Sequence, residues 1–185
     1  MTLLERLQEH AGSKKKVMLM RFPPFEETHH GFLLSVGDTW TLLWRFSDFD
    51  PDGFEILRTE QITDIRSGKF ERKWEQMLKD EGALDSWPTL ELPLGDTFTL
   101  VADLQNRGEF VEVELENADH LEQTFFIGRI VTHDKHLLRF AHFDGEGVWR
   151  NKSYTIGFSD ITCMRFKTPY AETFAKYLSG GCPVE

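Results

Sequence analysis

Chemistry-bearing side chains in this chain cluster in a few short stretches. Asp48-x-Asp50-x-Asp52-Gly53 opens like a calcium-binding loop, in which hard carboxylate oxygens suit a hard cation. The motif then stops, because Thr59 holds the twelfth place where a bidentate Glu is needed and Pro51 stiffens the middle. The reading is an acidic turn, and His142-x-Asp144-x-Glu146-Gly147 reads the same way. His29-His30 and the pair His133 and His136 are imidazoles of the kind zinc takes, yet neither has a Cys or carboxylate at ligand spacing. Cys163 would need to be an exposed, low-pKa thiolate to act as a nucleophile, and it lies in an apolar strand pattern. No serine elbow, phosphate-binding glycine loop or carboxylate pair is present, so the chain reads as a non-enzyme without cofactor or metal.

One basic and aromatic patch remains, Trp149-Arg150-Asn151-Lys152-Ser153-Tyr154. On an exposed loop, Trp149, Arg150 and Lys152 would contact an acidic or aromatic ligand. Alternatively, Trp149 folds back onto the core.

These stretches belong to a pattern that occurs twice. Arg45-Phe46-Ser47-Asp48-Phe49-Asp50-Pro51-Asp52-Gly53 is answered by Arg139-Phe140-Ala141-His142-Phe143-Asp144-Gly145-Glu146-Gly147. Gly31 and Gly128 each open an apolar stretch upstream, and Ile62 and Ile65 are matched downstream by Ile161 and Met164. A period of about 95–100 residues is too long for a solenoid and implies a duplicated small domain. The units are residues 1–82 and 83–185, each with one bracing amphipathic helix. By this alignment the 149–154 stretch lengthens one hairpin of the second unit by about five residues.

The formal net charge of −10 is uneven, with 12 basic and 15 acidic residues in 1–82 against 9 and 16 in 83–185. Such a surface opposes polyanions and suits basic partners. The two cysteines form no disulfide framework, no run reaches membrane-spanning length, and the N-terminus lacks a leader pattern. The expectation is a cytoplasmic protein, monomeric or a small homo-oligomer, whose partner is a protein or small ligand.

Thr2 caps a short helix closed at Gly12. Strands follow over 17–22, 31–36, 39–46, 54–58 and 61–66, with a loop at 48–53. Ser67 caps a helix with Phe70, Trp74, Met77 and Leu78 on one stripe, and residues 83–97 read as a linker. The periods at 97–104 and 109–116 predict a hairpin. Its second strand alternates Val111, Val113 and Leu115 with Glu112, Glu114 and Glu116, which assigns the glutamate face to solvent. Further strands at 126–132, 136–140, 154–158 and 160–166 lead to a helix begun by Thr168-Pro169.

A helix followed by five bent strands resembles the Sm-like small barrels. Gly31, Leu33, Val36, Trp40, Leu42 and Leu43 fall at the places of the family's first motif. Ile56-Leu57-Arg58-Thr59, with Ile62 and Ile65, resembles the second. Gly37 stands where the family has Asp, Thr41 where it has Asn, and Thr59 where it has Gly. The second unit matches at Gly128, Ile130, Asp134, Ile161 and Met164, with Gly157 at the arginine position. The Asp52-Gly53-Phe54 step is also similar to one in uncharacterised bacterial proteins and carries no activity.

The resemblance implies a mainly β fold with helices, built as two tandem five-stranded Sm-like (SH3-like) barrels rather than one shared open sheet. It also implies that the barrels associate edge to edge through their last strands. Here the two units would satisfy each other's edges, giving a non-catalytic binding or assembly module. The alternative it implies is RNA binding, with Trp40 stacking a base beside Thr41 and Arg58. Against that stands the reading in which Trp40 fills the barrel and Arg58 pairs with an acid such as Glu60.

Overall fold

The computed structural model describes residues 1–21, 28–117 and 122–183. Its elements are α1 (Leu3–His10), β1 (Lys16–Arg21), β2 (Thr28–Val36), β3 (Trp40–Ser47), β4 (Asp50–Arg58), β5 (Ile62–Arg66) and α2 (Lys69–Asp80). They continue with α3 (Thr97–Arg107), β6 (Val111–Asn117), β7 (Glu122–His133), β8 (Leu137–His142), β9 (Tyr154–Gly157), β10 (Cys163–Phe166) and α4 (Pro169–Ala175). A 3-10 turn precedes β5 (Thr59–Gln61) and another precedes β10 (Phe158–Asp160). The Phe22 end of the expected first strand lies outside the described residues.

The ten strands form a single antiparallel sheet, ordered β5-β1-β2-β3-β4-β10-β6-β7-β8-β9. Two separate closed barrels were expected; the sheet is one and it is open. It nonetheless reads as the same order twice, β5-β1-β2-β3-β4 and then β10-β6-β7-β8-β9. The halves join where β4 pairs with β10, Leu57 opposite Cys163 and Glu55 opposite Arg165. Every neighbouring pair is antiparallel; β1 to β4 and β6 to β9 follow one another in sequence, while β5 and β10 return to pair with β1 and β6.

Local details coincide between the halves. Gly31 lies opposite Arg45 and Gly128 opposite His142, and each pairing is followed by a register shift, at Leu33/Ser35 and at Ile130/Thr132. A Cβ on Gly31 would sit 2.1 Å from the Trp44 carbonyl oxygen, and one on Gly128 would sit 1.8 Å from that of Ala141. No side chain fits such an approach, which is why glycine starts the bend in both halves. By this register Arg45 corresponds to His142, not to Arg139. The conspicuous nine-residue repeat is therefore three residues out of step with the backbone it was taken to mark. The equivalent residues Leu57 and Ile156, which lie opposite Thr41 and Leu138, are offset by 99 residues, against 97 for the glycines. The second hairpin is thus longer by two residues rather than five.

Residues 97–104 are helix, not a hairpin strand. Asp96 caps the helix by accepting from the Thr99 amide at 2.9 Å, and Gly108 ends it in the left-handed conformation. The threonines and Val101 favour strands locally, but burying Leu100, Val101 and Leu104 together requires helical spacing. The acidic 48–53 stretch is no extended loop: β4 begins at Asp50, with Asp48 at positive φ in the turn. Gly68, rather than Ser67, is the N-cap of α2.

The two faces of the sheet differ. Phe32, Trp44, Ile56, Met164, Val113 and Phe140 belong to one extended apolar cluster that α3 completes. Residues of the 83–97 segment (Leu84, Trp87, Leu90, Leu92 and Leu94) pack against it too, so this stretch is part of the core covering. The opposite face carries two smaller clusters, one around Leu7, Leu33, Leu43 and Leu57 and one around Ile127, Phe143 and Trp149. Between those two lies a strip of buried charge. Among the described residues, no helix is long and apolar enough to cross a membrane.

Candidate functional site

The buried strip crosses the joint between the halves. Arg21 on β1 grips Glu116 on β6 with two hydrogen bonds of 2.6 Å. Its Nε donates to His29 Nε2 at 3.0 Å, and His29 Nδ1 lies 2.9 Å from Glu55 Oε2. Glu55 accepts from Arg165 Nε at 2.6 Å, and Arg165 Nη1 donates to Glu114. Thr168, the N-cap of α4, donates to Glu112. The glutamate face of β6 was assigned to solvent; Glu112 and Glu114 are instead 6% and 5% exposed. Alternation marks a two-faced strand but not what covers the second face, and here arginines from other strands cover it.

Burial alone would raise the Glu55 carboxyl, but the facing His29 and Arg165 outweigh it and hold it well below the usual carboxylate range. Burial pushes the Cys163 thiol well up, with Glu55 3.7 Å from its sulfur. This thiol is enclosed at 0% exposure, in keeping with a packing role.

Residues at the expected RNA positions are taken up by internal contacts. Trp40 is 0% exposed, with its indole N–H donating to Thr97 Oγ1 at 3.1 Å. Thr41 is likewise buried and its hydroxyl meets that of Thr59 at 3.0 Å. Arg58 lies over the Trp40 ring and donates to the carbonyls of Ile161 (2.6 Å) and Phe158. It clamps the second half rather than pairing with Glu60.

The basic and aromatic loop also folds inward. Trp149 is 8% exposed, between Phe110 and Phe143. Arg150 reaches Asp144 at 3.5 Å and Lys152 is exposed, so the three do not form one surface. Asp144 accepts from the amides of Glu146 and Val148, both at 3.0 Å, which explains its acidic motif as a self-capping turn. Among the described residues, no group of His, Cys, Asp and Glu is arranged to hold a metal.

A different site lies under α2. Lys16, His30, Arg66, Phe70, Glu71 and Trp74 line a cavity of about 190 Å³. Lys16 is 1% exposed, and its ammonium has no hydrogen-bond partner. It sits 5.5 Å from the centre of the Trp74 ring, whose other neighbour is Phe49, stacked at 4.9 Å. The two acids of α2 beside it are engaged elsewhere. Glu71 accepts from Arg66 Nε and Nη2 (2.9 and 2.8 Å) and from the Gly68 amide (2.7 Å). Glu75 takes the Lys16 backbone amide (3.0 Å) and the Lys79 ammonium (2.5 Å). Burial outweighs the attraction of Glu71 and Asp48 and lowers the Lys16 pKa to about 8.

Reading the sequence placed Phe70 and Trp74 on a core stripe and did not single out Lys16 or Arg66. The available signal was that Lys16 is in phase with Met18 and Met20 on β1, so a lysine shares a strand face with apolar residues. Of the stripe on α2, Leu78 is fully buried while Phe70 remains 71% exposed. The chain matches no protein-family model, no curated protein and no solved structure.

Proposed function

We propose that this protein is a non-catalytic binding module made of two Sm-like units, descended from a duplicated domain and fused edge to edge into one platform. The observation that carries this reading is the β4–β10 pairing, across which the strand order of the first half is repeated by the second. Shared placement of Gly31 and Gly128 beside a facing carbonyl supports it. Binding is favoured over catalysis because the buried acids and bases of the joint neutralise one another instead of facing a cavity. A cytoplasmic setting accords with this reading.

Joining β4 to β10 uses one edge of each half and leaves β5 and β9 as the outer edges. Arg6 of α1 covers the first by donating to the Ile65 carbonyl and pairing with Asp64 at 2.9 Å. The expected solution state is a monomer or small homo-oligomer. Sedimentation or small-angle scattering that showed a six- or seven-membered ring would overturn it.

RNA binding through Trp40, Thr41 and Arg58 is the competing reading, and the burial of Trp40 and the acidic net charge weigh against it. Titration with oligo-U at low salt separates the two. Salt-sensitive binding lost on Trp40→Ala would establish the RNA reading in place of ours.

A further inference from the structure

We propose that the cavity under α2 is a binding site for a small monocarboxylate with a planar apolar body, held by the Lys16 ammonium against the Trp74 ring. This deepens the binding reading by naming a ligand class, and it rests on that reading only in treating the site as non-catalytic.

An ammonium enclosed without an acceptor is costly, and the cost is relieved when a partner supplies oxygen lone pairs. Lys16 is in that position, and among the described residues none completes the pair. Glu71 and Glu75, the acids of the adjoining helix, are held by Arg66, Gly68, Lys79 and the Lys16 amide. Asp48 attracts Lys16 from the exposed β3–β4 turn without bonding to it, so an acceptor in contact with the ammonium has to come from a ligand.

Charge and shape narrow its chemistry. Lys16 and Arg66 against Glu71 leave one net positive charge, which matches a monoanion. A phosphate dianion would meet the Glu71 carboxylate and lose its hydration against Phe70 and Trp74. Those two rings supply a flat apolar wall, and Phe70 stands exposed at the rim. The volume of about 190 Å³ lies below the ~300 Å³ at which sites for drug-sized ligands begin, so the ligand is of single-ring to fused-ring size. His30, half-buried and lowered in pKa by burial and by Lys16, adds a neutral polar group to the wall.

Calorimetric titration of the full chain with benzoate and indole-3-acetate tests the proposal, with benzamide, inorganic phosphate and the capped peptide acetyl-Gly-Phe as comparisons. One of the two aromatic carboxylates should bind with one-to-one stoichiometry, at least tenfold tighter than benzamide. Lys16→Met should weaken it about tenfold or more, as loss of a charged hydrogen bond requires, and Trp74→Leu should weaken it as well. The NMR signals of the Lys16 side chain in the unmodified protein should shift on titration, a readout that does not need either variant to fold. Equal binding of benzamide, unmoved Lys16 signals or unchanged affinity in Lys16→Met would each overturn the site. Tighter binding of phosphate would overturn the carboxylate assignment, and tighter binding of acetyl-Gly-Phe would reassign the site to a chain terminus. The titration reads occupancy of the first half alone, so its failure is distinct from finding a ring in solution.

Discussion

Glu55 on β4 and Arg165 on β10 face each other across the joint, in register and 2.6 Å apart, although 110 residues separate them in the chain. Both are buried, so each is the other's replacement for water. Breaking such a pair from one side leaves an uncompensated charge, which costs about 3–5 kcal/mol. Arg165→Met should therefore destabilise the protein by that order in urea unfolding, and Arg165→Met with Glu55→Leu by clearly less. Additive losses in the two-residue variant would refute a coupled pair.

Acid should reveal the same relationship. The folded-state pKa of Glu55 is depressed below its ordinary 4.5, so the folded state holds fewer protons than the unfolded chain in acid. Its contribution is present above that value and declines as the pH falls below it. Stability measured from pH 6 down to pH 3 should fall less steeply in Glu55→Gln, from a lower starting level. Parallel slopes would show that Glu55 is not the titrating group.

Lys16 titrates at the alkaline end, and there it is the charged form that opposes folding. Its pKa of about 8 in the folded protein lies below the unfolded 10.5, so the unfolded chain binds more protons between those values and stability rises with pH across that window. Below pH 8 the buried charge costs at most about 3 kcal/mol, as a shift of this size implies. Lys16→Met should accordingly stabilise the ligand-free protein at pH 7, with the gain shrinking by pH 10. A destabilised Lys16→Met at pH 7 would show that the ammonium has an internal partner.

The glycines offer a test of the repeated architecture. Gly31→Ala and Gly128→Ala each drive a methyl into a backbone carbonyl, at 2.1 and 1.8 Å, and each should cost about 1–3 kcal/mol or more. Gly145→Ala, which meets open space, should stay within about 0.5 kcal/mol. Thermal unfolding of the three variants distinguishes a shared structural role from a chance likeness of sequence.

Strand periods, the caps of α1 and α4 and the two glycines were legible from residue types, because each depends on neighbours a few positions away. Thr2 and Glu5 cap α1 reciprocally, Thr168-Pro169 starts α4, and most strands lie within a residue or two of their expected places. Where a local pattern fitted two conformations, packing chose between them. The 97–104 segment became a helix because its leucines and valine had to cover the sheet beside β7. The doubled composition of 45–53 and 139–147 was also real as sequence, yet backbone pairing placed it three residues out of step.

Residue order alone determined that the chain would be mainly β, acidic and furnished with short amphipathic helices. Tertiary structure decided that both halves of the strand order share one sheet, that Glu112, Glu114 and Glu116 turn inward, and that the Lys16 ammonium is buried without a hydrogen-bond acceptor. Those outcomes depend on which strands become neighbours, and charges that meet from about 100 positions apart leave no periodic trace. A hydrophobic pattern records whether a side chain is buried, but the identity of what buries it exists only once the strands have paired across the joint.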